Sequence, residues 1–182
     1  MVVTLLWLLC SGAGPAASAP LPTPEYQLKA VFLFNFAKFV EWPASAHATK
    51  DSPIVLGIVG EDPFGAVLDN AVKGEKLGGR PLEVRRFKEI GEVTGCHLLF
   101  ISNSLKDQAG DLLKILQGRP VLTVSETPGF AERGGVINFV MADNKVRFEI
   151  NPQTAAQQSL KVSSKLLQLA HVVDGEGDKN RP

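Results

Sequence analysis

The sequence predicts a three-layer α/β fold, with a mostly parallel sheet flanked by helices and a C-terminal antiparallel hairpin at one edge. Three observations predict it. First, Ile54 to Val59 and His97 to Ser102 are short, continuous apolar runs. Strands buried on both faces read this way, and such strands are parallel ones covered by helices. Second, these runs alternate with helical patterns, as βαβ units do. Third, near the C-terminus the pattern changes to two strand runs around Asp143-Asn144, a two-residue turn of the hairpin type.

Taken in order, Pro20 to Pro24 is a Pro-rich lead-in to a helix expected over Glu25 to Trp42. Asn35, Lys38 and Glu41 recur at helical spacing as one polar stripe, and every other residue from Ala30 to Trp42 is aliphatic or aromatic. A helix apolar around most of its circumference must be covered on several sides. Each of Phe32, Phe34, Phe36, Phe39 and Trp42 contributes roughly 1.5–3 kcal/mol if fully buried. Pro43 is the expected stop, because proline disfavours the α conformation of the residue before it. Lys38 and Asn35 inside the run argue against bilayer insertion.

Ala44 to Asp51 is small and polar and reads as a loop containing His47. After the first buried strand, Gly60 to Gly65 is a turn and Phe64 to Val72 a short helix. Gly74 to Gly79 reads as a connection. Leu82 to Phe87 is a strand carrying Glu83, Arg85 and Arg86, hence nearer an edge. A helix over Ser104 to Gln117 ends at Gly118, and Pro120 to Ser125 is the fourth strand. In the hairpin, the turn pairs Ile137 with Ile150, Phe139 with Phe148 and Met141 with Val146 on one apolar face, and Asn138 with Glu149 and Val140 with Arg147 on the other. Asn151-Pro152 starts a helix running to about Gln158, with Asn as N-cap and Pro at the first position. Leu160 to Val162 is a brief extended piece, and Ser163 caps a final helix.

The chain has 182 residues, is 45% hydrophobic and carries a formal net charge of zero, which fits one domain with a proper core. Neutrality argues against nucleic acid as the main partner. Residues 1–19 read as an export signal, with an apolar run from Val2 to Cys10 and Ala17-Ser18-Ala19 as a cleavage site, although no Lys or Arg precedes the run. The expected organisation is therefore a signal peptide over 1–19, a single domain over 20–173 and a polar tail over 174–182. Once the signal is cut, Cys96 has no cysteine partner within the mature chain.

Chemical motifs are sparse. Gly129 to Asn138 displays Glu132 and Arg133 next to Gly134-Gly135, but a glycine pair before a strand is common turn chemistry. Gly60 to Gly65 follows a buried strand, and ligands of open α/β sheets sit at the carboxyl ends of strands. A crevice there would draw on Glu61, Asp62, Asn103 and Glu126. His47, His97 and His171 lack metal-site spacing, and no nucleophile–base set is apparent, so neither an enzyme nor a cofactor is expected. Arg80, Arg85, Arg86 and Lys88 read as a charged strand edge, and Asn138, Arg147 and Glu149 as a solvated hairpin face with one polar pair.

Seven stretches together resemble the YfiR family of periplasmic proteins. The first is Tyr26-Gln-Leu-Lys-Ala-Val-Phe-Leu-Phe-Asn-Phe-Ala-Lys-Phe-Val-Glu-Trp-Pro43. The others are Gly57 to Gly65, Cys96 to Ser102, Arg119 to Ser125, Gly129 to Phe139, Arg147 to Asn151 and Leu160 to Ala170. They occur in order over nearly the whole expected mature chain. The resemblance implies a non-enzymatic α/β periplasmic regulator that binds the periplasmic part of a membrane-bound diguanylate cyclase and lowers cyclic di-GMP signalling. It also implies a homodimer and, in some members, regulatory disulfides. Cys96 matches a family cysteine position, but the missing partner argues against an internal redox bridge. Phe32, Asn35, Lys38 and Phe39 of the long helix, with Glu132 and Arg133, are the expected partner contacts. The alternative expectation is a small-molecule module using the strand-end crevice.

Overall fold

The computed structural model describes residues 23–49 and 51–174. Its helices are α1 (Pro24–Phe39), α2 (Ala66–Val72), α3 (Ala109–Leu116), α4 (Pro152–Gln157) and α5 (Ser164–Leu169). Its strands are β1 (Val40–Glu41), β2 (Ile54–Val59), β3 (Lys76–Leu77), β4 (Arg80–Phe87), β5 (Leu98–Ile101), β6 (Leu122–Ser125), β7 (Ile137–Ala142), β8 (Lys145–Ile150), β9 (Lys161–Val162) and β10 (His171–Val172). The main sheet has the order β10-β8-β7-β6-β5-β2-β4-β3, and its central pairs from β4 to β7 are parallel.

Alternation along the central strands sorts their side chains into two layers of core. Leu56, Ile58, Leu98, Phe100, Leu122 and Val124 face α1 and α2, where Leu33, Phe36, Phe64 and Leu68 meet them. Val59, Leu99 and Ile101 lie in the other layer with Leu112 and Leu116 of α3 and with Phe130 of the segment between β6 and β7. The three-layer expectation is thus met. The hairpin register is also the expected one at every pair from Ile137↔Ile150 to Met141↔Val146. Asp143 and Asn144 both have positive φ (52° and 57°), as a type I′ turn requires.

Several boundaries differ from the sequence reading. The long helix ends at Phe39 rather than Trp42. Val40 and Glu41 are extended and pair antiparallel with Val162 and Lys161, and the Ser163 amide donates to the Phe39 carbonyl at 2.9 Å. This backbone partner, distant in sequence, outweighs the helical pattern before Pro43 can act. The Gly74 to Gly79 connection is a second hairpin, in which Gly78 and Gly79 at φ 57° and 84° turn β3 onto β4. The helix expected from Ser104 begins at Ala109, because Ser102 Oγ accepts the Ser104 amide and starts a 3₁₀ turn over Asn103–Leu105. Beyond the C-terminal hairpin, β10 adds a short parallel edge strand beside β8. The expected export signal lies outside the described residues, as does the expected polar tail beyond Asp174. Among the described residues no helix is long and apolar enough to cross a membrane.

Candidate functional site

Pro24 presets the first turn of α1, and the helix then carries Glu25, Tyr26 and Lys29 to the carboxyl ends of β5, β6 and β7. There, with Asn103, Glu126, Pro128 and the Phe139–Met141 strand end, they line a cavity of about 430 Å³. Lys29 is only 3% exposed. Its ammonium donates to Glu126 Oε2 at 2.6 Å and pairs with Glu25, and it lies over the Tyr26 and Phe139 rings at 4.8 and 5.6 Å from their centroids. The Tyr26 hydroxyl donates to Glu126 Oε1 at 3.0 Å. Burial, and then the Glu126 carboxylate, push the Tyr26 phenol up to about 12, so it stays a donor. Two carboxylates thus share one buried ammonium, leaving the cluster one negative charge in surplus.

The crevice floor is held by short polar links. Ser125 Oγ donates to the Ile101 carbonyl at 2.8 Å and accepts the Thr127 amide at 3.2 Å, and the Thr127 hydroxyl reaches Asn103 Oδ1 at 3.4 Å. Of the four residues expected in a strand-end crevice, Asn103 and Glu126 come together here, and Glu61 and Asp62 do not. Asp62 accepts the Phe64 amide and the Arg86 guanidinium at 2.8 and 2.7 Å, and the Glu61 amide donates to Ser104 Oγ. Glu25, Tyr26 and Lys29 escaped the sequence reading. Their signal was an i,i+4 Glu–Lys pair opening an otherwise apolar helix.

The outer side of α1 forms the second candidate surface. Leu28 and Val31 are 44% and 48% exposed on the side opposite buried Leu33 and Phe36. Lys38 is exposed with its ammonium over the Phe34 ring, and Asn35 is half-buried. Phe32 and Phe39 are half-buried and pack against the core. Phe32 stacks on Phe36 and meets Phe139 and Phe148 at ring distances of 5.9, 6.1 and 5.5 Å.

Glu132 and Arg133 are exposed on the loop before β7. The glycines there serve the turn: Gly134 has φ 97°, and the Phe130 ring occupies the space a Gly135 Cβ would need. The basic run is also engaged. Arg86 bridges Asp62 and Asp69, and Arg80 donates to the Thr49 and Ser52 carbonyls at 2.7 and 3.1 Å. On the hairpin, Asn138 donates to Glu149 at 3.1 Å as expected, but it is fully buried instead of solvated, because Ser125 of β6 lies beside it.

Cys96 is half-buried with no cysteine partner among the described residues, and burial pushes its thiol up to about 11. His97 and His47, separated by 50 residues in the chain, stack with Nε2 and Nδ1 3.0 Å apart. No local signal foretells that contact. Among the described residues no cluster of three or more His, Cys, Asp or Glu side chains is arranged to hold a metal ion.

No curated protein matches the chain. A family model described as YfiR/HmsC-like matches residues 26–171, which takes in Tyr26 and Lys29 of the crevice, the exposed side of α1 and the main sheet as far as the first residue of β10. Over that span, nearly the whole described structure, the chain belongs to the YfiR/HmsC-like family.

Proposed function

We propose that this protein is an exported, non-enzymatic regulator that binds the periplasmic part of an inner-membrane signalling protein, a diguanylate cyclase, and represses it. Family membership supports the class of function. The observation that carries the binding mode is the exposed pair Leu28 and Val31 on a helix whose other side is core. Apolar side chains at i and i+3, flanked by Lys38 and the Phe34 ring, suit an apolar partner surface with a polar rim. Glu132 and Arg133 supply a second, charged contact. Binding would select one conformation of the cyclase, and its effect is limited by the difference in affinity for the two states.

The test is capture of membrane proteins by the tagged, exported protein, together with cyclic di-GMP output in the host. Val31→Glu and Arg133→Glu, with unchanged melting temperature, are expected to lose capture and raise cyclic di-GMP. Phe32→Glu is a poor probe, because that ring belongs to the Phe36–Phe139–Phe148 cluster. Unchanged cyclic di-GMP on deletion of the gene would reject the regulator reading.

A second reading rests on the crevice itself. Its apolar wall (Pro128, Phe139, Met141) beside the surplus carboxylate charge of Glu25 and Glu126 suits a small organic cation with an apolar body. A thermal-shift panel of such amines is expected to give hits that Glu25→Gln abolishes. A panel with none would leave the regulator reading alone.

A further inference from the structure

The connection that leads from the end of α1 and β1 into β2 is fastened near Thr49 and Ser52 by Arg80 and, nearer its start, by two imidazoles. The Val55 amide donates to His97 Nδ1 at 3.1 Å, which makes Nδ1 the acceptor nitrogen. A neutral ring has one acceptor and one donor nitrogen, so His97 Nε2–H is the donor toward His47 Nδ1, 3.0 Å away. The result is a directional chain of hydrogen bonds, Val55 to His97 to His47, in which each ring accepts through a lone pair that a proton would occupy. Trp42 closes the assembly. Its indole N–H donates to the His97 carbonyl at 3.0 Å, and its ring meets the His97 ring edge-on at 5.9 Å. His97 is buried, and β1 continues directly from α1 into this assembly.

We propose that His47 and His97 form an acid-released latch that fastens the start of this connection, and through Trp42 the C-terminal end of α1, to the amino ends of β2 and β5. A proton on His97 Nδ1 would set N–H against the Val55 N–H and leave a buried backbone donor unpaired, which is costly. A proton on His47 Nδ1 would set N–H against the His97 Nε2–H. Both events loosen the same connection.

The surrounding charges favour the neutral, latched form. From β4, the Arg80 guanidinium bears on both rings and the Arg85 guanidinium on His97. Among the described residues no carboxylate acts appreciably on either, Asp51 of the same connection included. Burial first, then His47 and Arg80, lower His97 to about 4, against a weaker opposing pull from the Ala46 carbonyl. Burial and then Arg80 lower His47 as well. A divalent metal fits the pair poorly, because a ligating His97 Nε2 would leave Nδ1 protonated and unable to accept the Val55 amide.

The test is NMR on the ¹⁵N-labelled full chain from pH 7.5 to 4.5. It follows the His97 ring nitrogens, the Trp42 indole N–H, and exchange of the Val55 amide corrected for its intrinsic rate. His97 is expected to hold its Nε2–H form down to about pH 5 and then to protonate. Val55 protection should fall at least tenfold more than that of Phe100 on β5, and the Trp42 signal should shift with it. His97→Asn places an amide oxygen where Nδ1 sits and does not titrate, so Val55 protection should then follow Phe100. Parallel loss in wild type and His97→Asn would overturn the latch, as would a His97 ring that titrates as a free imidazole does. If His97→Asn fails to fold, His47→Asn serves. It retains the His97–Val55 bond, and the loss should then track one proton instead of two. An unchanged proton dependence would also overturn the proposal.

Discussion

Lys29 and Glu126 are bonded ammonium to carboxylate at 2.6 Å across 97 residues of sequence, and this pair fixes the start of α1 to the carboxyl end of β6. Removing one partner of a buried pair leaves an uncompensated charge and costs about 3–5 kcal/mol. Glu25 still holds Lys29 from the solvent side, so Glu126→Ala should cost about 2–3 kcal/mol, below that range. The double change Lys29→Met with Glu126→Leu should recover most of the loss, because apolar replacements often equal a buried ion pair. Urea unfolding of the single and double variants checks both outcomes.

Gly135 and Gly110 should respond oppositely to alanine. The Phe130 ring fills the space of a Gly135 Cβ, whereas nothing lies within 4 Å of a Gly110 Cβ. Gly135→Ala should destabilise by about 1–3 kcal/mol through overpacking. Gly110→Ala, in the first turn of α3, should stabilise by about 0.4–1 kcal/mol through lower unfolded-chain entropy. Thermal melts of the pair separate the two effects.

These contrasts mark what the sequence could convey. Apolar runs such as Ile54 to Val59 report burial on both faces, and Asp143-Asn144 with its flanking alternation sets a register unaided, so the layers and the hairpin were legible. The end of α1 was not, because Val40 finds its partner in Val162, 122 residues away. The site was half legible. Topology pointed to the strand ends and so to Asn103 and Glu126. Lys29 drew no reading of its own, because its ammonium is buried between two carboxylates by tertiary packing, one of them 97 residues away, and the meeting of His47 and His97 depends on the path of the connection before β2.

Cys96 should be slow to react. With its thiol pushed up by burial to about 11, only about 0.1% is thiolate at pH 8, against roughly a quarter of a free cysteine. Alkylation of the native protein in a Cys10→Ala background should therefore be at least about 100-fold slower than in urea. Equal rates would show an open thiol and reopen a disulfide between two copies.

Stability should fall in mild acid through His97. Its folded value, about 4, lies below the unfolded 6.5, so its contribution is fully present above pH 6.5. In the interval down to about pH 4 the unfolded chain binds a proton that the folded chain refuses, and the contribution is lost as pH falls through that interval. At about 1.36 kcal/mol per unit, the span sets an upper limit of about 3 kcal/mol. Wild type and His97→Asn differ in this titration and in the His47 titration coupled to it across 3.0 Å, so their urea midpoints should converge between pH 7.5 and 4.5, whatever the baseline cost of the substitution. Carboxylates titrate alike in both proteins and cancel in the difference. A difference independent of pH would mean that the His97 ring accepts a proton without breaking its bond to Val55.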